Sequence, residues 1–231
     1  MLLAAIMAFS CRIDDDPIPP TNNLYYDFEE GTQGWIGDFA DLPIEGHDIY
    51  DLEIDHGQIP EETGATGNAL RIQGNNRSDD LFMFFKKYID GLEPSTSYHI
   101  VFDIEIASKY PENSMGAGGS PGSSVFVKAG ATALEPDVEV QDDYFRMNID
   151  KGNQSQEGAD MINVGTVGIE GDEEVYTLIH RGNADRPFEA PTDDQGGLWL
   201  VIGTDSGFEG LTNLYYNSVG VKLDKVITLQ E

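Results

Sequence analysis

Apolar and polar residues alternate over short stretches along most of the chain, a pattern that is typical of half-buried β-strands. The longest stretch, Tyr98–Ala107, is predicted to point four apolar side chains inward: Ile100, Phe102, Ile104 and Ile106. The first half of Leu81–Ile89 and all of Leu198–Gly203 are almost continuously apolar, so we expect them to be buried on both faces. No helical pattern longer than one or two turns is present. The chain is therefore predicted to be all-β.

The two ends of this patterned region predict how the strands close on themselves. Leu24–Trp35 (LYYDFEEGTQGW) is predicted to form a strand, a turn and the start of a second strand, and Leu214–Leu223 (LYYNSVGVKL) a late strand. In the first segment Tyr26 and Asp27 point to opposite sides, because side chains alternate along a strand. We expect the two segments to pair and to close the chain into a β-sandwich.

The remaining strands are predicted from shorter runs that glycine, proline and asparagine residues separate. They are Trp35–Ala40, Ile49–Ile54, Ala69–Gln73, Ser124–Ala129, Tyr144–Ile149 and Val175–His180. Their spacing suits a sandwich with long loops. The glycine-rich segment Asn113–Ser123 lacks the lysine of a phosphate-binding loop, so we predict a flexible loop beside the edge of the sandwich.

Composition and charge limit the possible partners. Of the 231 residues, 39% are hydrophobic, which is enough for a buried core, and 26 are glycine, which suits many turns. The chain carries 42 acidic and 13 basic residues, giving a formal net charge of -29. A surface of this charge repels nucleic acid phosphates and attracts divalent cations, so nucleic-acid binding is not expected.

The first residues have the features of an export signal. Met1–Phe9 (MLLAAIMAF) is apolar but too short to span a membrane, and Ser10 and Cys11 follow it directly. Residues 8–11 (AFSC) resemble the lipobox of bacterial lipoproteins, which implies removal of a signal peptide over residues 1–10 and lipidation of Cys11. The alternative is an apolar terminus with a free thiol on the only cysteine. Residues 11–23, acidic and rich in proline, are predicted to be an extended tether.

Two aromatic motifs mark the body of the chain, FE-x-G-x-x-GW at Phe28–Trp35 and YYNSVGV at Tyr215–Val221. They resemble the opening and closing strands of bacterial jelly-roll modules of the carbohydrate-binding type. The resemblance implies one jelly-roll β-sandwich domain over residues 24–231, built from two antiparallel sheets with long loops. Together with the lipobox, it implies a bacterial lipoprotein anchored at the outer membrane or cell surface.

Many modules of that type hold a structural calcium ion where the first and last strands meet, and the resemblance implies one here. The ligands it implies are Asp27 and Glu29 from the first strand and Asn217 from the last. Calcium binds carboxylate and amide oxygens, but an amide contributes no charge, so the affinity is expected to be lower than with an aspartate. The alternative is that Asp27 and Glu29 form a solvated strand face.

Aromatic rings are the usual platforms for sugars, because the C–H face of a sugar stacks on a flat ring. The aromatic candidates for ligand binding are Trp35, Tyr50, Tyr110, Tyr144 and Phe208. Tyr110 and Phe208 lie in loop-like sequence and are preferred, whereas Trp35 is better explained as covering one end of the core. Trp199 is expected to be buried within its apolar strand.

Few residues of the chain suggest catalysis. Hydrolytic carboxylate pairs need a defined separation, and Asp79–Asp80 and the pair Asp103 and Glu105 are the best-placed candidates. Among 42 acidic residues such pairs also arise by coincidence. The four histidines lack the spacing of a zinc site, and no G-x-S-x-G motif is present.

These observations favour a lipid-anchored surface protein that acts as a non-catalytic binding module, with a glycan as its ligand. One alternative is a structural or adhesive surface protein that binds other proteins through its long loops. A weaker alternative is a glycan-cleaving enzyme that uses a carboxylate pair.

Overall fold

The computed structural model describes residues 22–227, and within them the chain folds into seventeen β-strands and two short 3-10 helices. The helices lie at His47–Tyr50 and Glu61–Thr63. The strands, in chain order, are β1 (Asn22–Tyr26), β2 (Ile36–Ala40), β3 (Leu42–Pro43), β4 (Glu53–Gln58), β5 (Asn68–Asn75), β6 (Leu81–Ile89), β7 (Ser97–Ser108), β8 (Tyr110–Pro111), β9 (Val125–Thr132), β10 (Val138–Gln141), β11 (Tyr144–Met147), β12 (Met161–Thr166), β13 (Gly168–Ile169), β14 (Thr177–Gly182), β15 (Phe188–Pro191), β16 (Leu198–Ser206) and β17 (Leu211–Lys225).

Two antiparallel sheets form the sandwich. The larger sheet has seven strands in the order β14-β7-β17-β5-β4, with β1 paired to β17 and β15 paired to β7. The smaller sheet has five strands in the order β12-β9-β16-β6-β2. A three-stranded sheet (β10-β11-β3) and a two-stranded parallel pair (β13-β8) complete the strand pairing of the described residues. This is the all-β jelly-roll sandwich with long loops that the sequence predicts.

The predicted pairing of the two ends is confirmed. β1 runs antiparallel to β17, with Leu24 opposite Val221 and Tyr26 opposite Val219. The first half of β17 pairs with β5, and β7 pairs along most of its other side. The last long strand therefore lies inside the larger sheet and takes up the first strand beside it.

The core lies between the facing sides of the two sheets. The inward residues of β7 are those that the alternation predicts, and they pack against apolar residues of β16: Ile100, Phe102, Ile104 and Ile106 with Leu198, Leu200 and Ile202. Each of these seven side chains is almost completely buried. The polar residues of β7, such as Asp103, point away from this core because side chains alternate along a strand.

The outer face of the smaller sheet is covered as well. Residues 133–160 contain β10, β11 and the loop that follows them, and we call them the cover segment. An apolar cluster joins sheet and cover, with Phe82, Phe84 and Val201 from the sheet and Met147 and Ile149 from the cover segment. The smaller sheet is therefore buried on both faces, which agrees with the apolar character of β6 and β16.

One predicted strand was wrong in its first half. Ile49–Ile54 was expected to be extended, but His47–Tyr50 forms a 3-10 helix and β4 begins only at Glu53. The backbone of Asp51 has a φ of 50°, a left-handed conformation that redirects the chain at this point. Six short strands were also missed, none of them longer than six residues: β3, β8, β10, β12, β13 and β15.

The glycine-rich segment Asn113–Ser123 forms neither helix nor strand, as predicted. It packs against the chain around Phe208: a Cβ atom on Gly116 would lie 2.4 Å from Phe208 Cε2, and one on Gly118 would lie 2.4 Å from the Gly207 carbonyl oxygen. Only glycine permits so close an approach of the two chain segments. Close packing against the chain around Phe208 therefore explains why glycine occupies positions 116 and 118.

The predicted signal peptide, Cys11 and most of the tether lie outside the described residues. Between residues 22 and 227, none of the helices has the length and hydropathy that crossing a membrane requires.

Candidate functional site

Charged side chains lie buried beneath the cover segment. Lys128 on β9 and Asp205 on β16 point to the outer face of the smaller sheet, and both are fully buried. Lys151 in the cover segment and Asp41, directly after β2, are 6% and 5% exposed. Buried charges are costly unless they are paired, so this group has to form a network of its own.

Lys128 holds the loop of the cover segment in place. Its ammonium group donates hydrogen bonds to the carbonyl oxygens of Lys151 and Gln156, each at 2.7 Å. Gly152 has a φ of 72°, and a Cβ atom there would lie 2.2 Å from the Gln156 oxygen. Burial lowers the pKa of Lys128, and the carboxylate of Asp205 acts in the opposite direction. The loop therefore folds around the end of a buried lysine.

A two-residue turn positions Tyr144 and Arg146 beside the buried charged group. β10 and β11 form a hairpin that turns at Asp142 and Asp143, whose φ values are 47° and 65°. Positive φ at both positions matches the twist of a two-residue hairpin, and aspartate tolerates this conformation better than most residues. Tyr144 and Arg146 follow at alternate positions of β11, and the guanidinium group of Arg146 lies 4.6 Å from the centre of the Tyr144 ring.

Lys151 bridges two carboxylates at the centre of the buried group. Its Nζ lies 2.7 Å from Asp41 Oδ2 and 2.7 Å from Asp205 Oδ2. Lys128 Nζ lies 3.4 Å from the same Asp205 oxygen, and Arg146 Nη1 donates to Asp41 Oδ1 at 2.7 Å. Burial disfavours the charge on Lys151, but the two carboxylates outweigh it and raise the pKa of Lys151.

Asp80, just before β6, completes the cluster. One oxygen of Asp80 and one of Asp205 have no hydrogen-bond donor among the described residues, and the two carboxyl groups interact with each other. Ionised carboxylates only accept, so such a contact needs a proton or a cation between the oxygens. Burial, followed by the charges of Asp41 and Asp205, raises the pKa of Asp80 to about 7. Below that pH the pair holds a proton.

A cavity of about 330 Å³ opens beside this cluster. Its walls are mostly polar and come from the cluster, the hairpin and the loop of the cover segment: Asp41, Asp80, Gln141, Asp142, Tyr144, Arg146, Met147, Ile149, Asp150, Lys151, Gly152 and Asn153. Backbone hydrogen bonds from Ala159 and Gly152 to its carboxylate lower the pKa of Asp150, so this wall carries a negative charge at neutral pH. The cavity thus combines carboxylates, amides and one aromatic ring.

Three carboxylates of the cluster lie close enough together to hold a metal ion: one oxygen each of Asp41, Asp80 and Asp205 falls within 4.8 Å of the others. Calcium takes six to eight oxygens, mostly carboxylates and carbonyls. Here the ammonium group of Lys151 already contacts two of the three carboxylates. The positive charges of Lys128, Lys151 and Arg146 equal in number the three carboxylates. The cluster therefore does not fit a divalent ion.

The structure places the five aromatic candidates in different surroundings. Tyr144 is half-buried and lines the cavity. Phe208 is half-buried beneath the glycine-rich loop. Trp35, Tyr50 and Tyr110 are 3%, 2% and 7% exposed. The expected exposure of Tyr110 was wrong, because its ring packs in the core and its hydroxyl donates to the Leu211 carbonyl oxygen.

Trp199, expected to be buried, is instead half-buried on the outer face of the smaller sheet. It lies opposite Tyr88 in the strand register, with ring centres 5.2 Å apart, and Tyr88 is 40% exposed. Lys86 Nζ lies 5.3 Å from the Trp199 ring and donates to Glu135 and to the Pro136 carbonyl oxygen. The cover segment therefore leaves an aromatic pair uncovered at the end of the sheet that is remote from Asp205.

The side chains of the three predicted calcium ligands form hydrogen bonds with different partners. Asp27 Oδ1 accepts hydrogen bonds from Gln33 and from the Glu29 backbone, at 3.0 and 3.2 Å. A carboxylate oxygen of Glu29 accepts from the Asn68 backbone at 3.3 Å. The amide of Asn217 donates to Glu105 on the neighbouring strand. The two strands meet as predicted, but these side chains do not share a contact.

The two predicted carboxylate pairs differ in their surroundings. Asp80 belongs to the buried cluster, whereas Asp79 has a φ of 65° and is exposed. Asp103 and Glu105 lie on the outer face of the larger sheet, and His180 contacts both, at 3.1 and 2.9 Å. This second pair lies on the outer face of the larger sheet, and neither residue lines the cavity beside Asp80.

Lys128, Lys151 and Asp205 were not predicted from the sequence. A usable feature was present for two of them, since Lys128 interrupts the apolar strand SVFVKA and Asp205 lies two residues after the end of LWLVIG. A charge at a strand position where apolar residues surround it has to find a partner. Lys151 carries no such feature, because it lies in a polar stretch whose fold over the sheet is a tertiary property.

Comparison with known proteins gives weak similarity to β-sandwich domains. No protein-family model matches the chain, and no curated protein matches it either. A putative sugar-binding protein from Bacteroides thetaiotaomicron is similar with 13% identity and a TM-score of 0.42, over 87% of this chain and 92% of that one. A family 11 carbohydrate-binding module from Clostridium thermocellum, in complex with a mixed-linked tetrasaccharide, has 10% identity and a TM-score of 0.38, over 86% and 94%.

An enzymatically active tailspike domain from bacteriophage CBA120 is similar at 9% identity with a TM-score of 0.39. The match covers 87% of this chain but only 20% of the tailspike domain, so the chain spans about one fifth of that length.

Proposed function

We propose that this protein is a non-catalytic binding module whose ligand is a glycan. The observation that carries the proposal is the polar cavity between the cover segment and the smaller sheet. It is large enough for about one sugar ring and presents carboxylates and amides around the ring of Tyr144. Planar polar side chains of this kind bind the neighbouring hydroxyl groups of a sugar, and a ring beside them supplies a stacking surface.

The uncovered pair of Tyr88 and Trp199 is a second surface of suitable chemistry. Trp199 lies six residues before Asp205 on β16, which corresponds to about 20 Å along a strand. An extended oligosaccharide that reached both sites would have to cross the cover segment. We therefore assign the primary site to the cavity and expect Tyr88 to contribute little to the affinity.

A glycan-array screen of the purified protein, followed by calorimetry with the best oligosaccharide, tests the proposal. Tyr144→Ala should weaken binding about tenfold, the equivalent of about 1.4 kcal/mol. Tyr25→Ala is the matched control, because Tyr25 is an exposed tyrosine (69%) on the larger sheet. A comparable loss with Tyr88→Ala and none with Tyr144→Ala would move the site to the aromatic pair.

Two further results would replace the proposal. A blank array from folded protein would favour the alternative of a structural or adhesive surface protein that binds other proteins. Oligosaccharide products that accumulate with time would favour a glycan-cleaving enzyme, for which Asp80, with its pKa near 7, would be the first acid to examine.

The proposal also includes the cellular location of the protein. The lipobox-like residues 8–11 favour a lipid anchor on Cys11 at the outer membrane or cell surface. Expression of the whole chain should place it in the membrane fraction, and Cys11→Ser should release it. Membrane association that is unchanged in this variant would remove the anchor from the proposal.

A structural calcium ion at Asp27, Glu29 and Asn217 is the remaining part. The strongly acidic chain supports it, as do the two carboxylates, although they follow β1, which ends at Tyr26, instead of belonging to it as predicted. The present contacts of these side chains do not support a calcium ion, because the ion would have to replace the hydrogen bonds of Asp27 and Glu29.

A further inference from the structure

We propose that the ammonium group of Lys151 takes the place of a metal ion between Asp41, Asp80 and Asp205, so that the native cluster binds no divalent cation. The inference does not depend on the ligand of the cavity. It predicts that the cluster is a latent metal site, which removal of one positive charge would open.

The carboxylates have the arrangement of a metal site. One oxygen from each lies within 4.8 Å of the others, a spacing that ligands around one calcium ion also have. Asp205 is fully buried, and one of its oxygens has no donor among the described residues. A buried acceptor without a partner is costly, so positive charge or a proton has to be supplied nearby.

Lys151 supplies positive charge from inside the protein, although it does so at Oδ2 of Asp205, whereas the oxygen without a donor is Oδ1. Its nitrogen lies 2.7 Å from one oxygen of Asp41 and 2.7 Å from one oxygen of Asp205, and so it bridges two carboxylates as a bound cation would. Lys128 and Arg146 add two more positive charges at the edge of the cluster. A divalent ion would be repelled by these three cationic groups and would have to displace Lys151 from the carboxylates.

The covalent attachment of Lys151 adds a structural role. The three carboxylates come from the sheet and its turns, whereas Lys151 belongs to the cover segment. The same two contacts of Lys151 therefore neutralise the carboxylates and hold the cover segment against the sheet. A free ion would neutralise the acids without holding the wall of the cavity.

Removing the ammonium charge should create the metal site. Lys151→Met keeps an unbranched side chain of similar length but leaves Asp41 and Asp205 short of one cation. The cavity is lined by Asp41 and Asp80, so an ion can reach the cluster from solvent. The variant should bind one additional calcium or terbium ion at least tenfold more tightly than the native protein binds any ion at the cluster.

Titration with terbium and calcium, read by luminescence and calorimetry, tests the proposal. The native protein and Asp205→Asn should give the same binding curve, since any ion that either protein binds would lie outside the cluster. Lys151→Met should gain one site, and the double variant Lys151→Met with Asp205→Asn should lose it. A folded Lys151→Met protein without the added site would overturn the proposal.

A measurement on the native protein decides the question if Lys151→Met does not fold. A buried, ion-paired ammonium group exchanges its protons slowly and gives its own nitrogen-15 NMR signal, which Lys151→Arg should remove. Addition of calcium should leave the signal unchanged. Displacement of the signal by calcium, or a native calcium site that Asp205→Asn abolishes, would show that the cluster binds the ion itself.

Discussion

The carboxyl groups of Asp80 and Asp205 interact beside the cavity, and an oxygen of each has no other donor among the described residues. Asp205 is fully buried and also contacts Lys151, whereas Asp80 reaches the cavity wall. Asp80 is therefore the member of the pair that exchanges its proton with solvent. Asp80 therefore holds a proton beside Asp205 below about pH 7 and loses it above that pH.

This relationship predicts how stability depends on pH. In the folded protein the pKa of Asp80 is raised to about 7, above its ordinary value near 4, so only the folded state holds the proton between these values. The free energy of unfolding should fall as the pH rises from about 4 to 7, and this contribution should be constant above 7. Chemical denaturation at a series of pH values measures it.

Asp80→Asn is the variant that isolates this effect. An amide keeps the shape and can donate to Asp205 without titrating, so the decline between about pH 4 and 7 should become smaller. Asp194→Asn, at an exposed aspartate outside the cluster, is the control and should keep the native profile. Identical profiles for the native protein and Asp80→Asn would mean that the two carboxyl groups share no proton.

Lys128→Met should destabilise the protein by about 3 kcal/mol or more. The substitution leaves the carbonyl oxygens of Lys151 and Gln156 without their donor in a buried position and removes a cation beside Asp205. Lys222→Met, on the exposed face of the larger sheet, is the matched control and should change stability by about 0.5 kcal/mol or less. Urea denaturation of both variants measures the difference, and equal stability would contradict the role of Lys128.

Gly130→Ala should separate β12 from β9. A Cβ atom at this position would lie 1.9 Å from the Asp160 carbonyl oxygen and 2.8 Å from Met161 Cα, and backbone atoms cannot move aside without shifting the strand. We expect a loss of about 1–3 kcal/mol, typical of an overpacked site. Gly220→Ala is the control, because its nearest atom would be 3.6 Å away. Thermal unfolding compares the two.

Calcium at the junction of β1 and β17 predicts a response to chelation. EDTA should lower the melting temperature and added calcium should restore it, because an ion that binds only the folded state stabilises it. Glu29→Gln should remove this response, while Asp205→Asn should preserve it. A melting temperature that EDTA does not change would exclude the ion proposed at Asp27, Glu29 and Asn217.

Much of the fold could be predicted because its signals are local. The alternation in Tyr98–Ala107 gives the inward residues of β7 correctly, and the pairing of the two ends follows from two complementary aromatic strands. The first half of Ile49–Ile54 could not be predicted in this way. Tyr50 is buried in the 3-10 helix, and an apolar residue of a strand would be buried in the same way, so the apolar pattern does not distinguish the two conformations.

The candidate site depends on contacts that are remote in sequence. Lys151 contacts Asp41 and Asp205, which lie 110 residues before it and 54 residues after it. The burial of Tyr110 also could not be predicted from its neighbours in the sequence. Its loop-like surroundings suggested exposure, but its ring packs in the core. Solvent exposure is set by whatever covers a residue, and here that is a strand far along the chain.

The sequence by itself determined that this chain is an acidic, all-β sandwich whose first and last strands pair, because alternation, turns and charge are properties of short segments. Only the tertiary structure decided where the ionised groups go. A charged residue in an apolar strand shows that a partner exists, but it does not show which one. The folding of residues 133–160 over the smaller sheet selects Lys151, and with it the cavity that the proposed function uses.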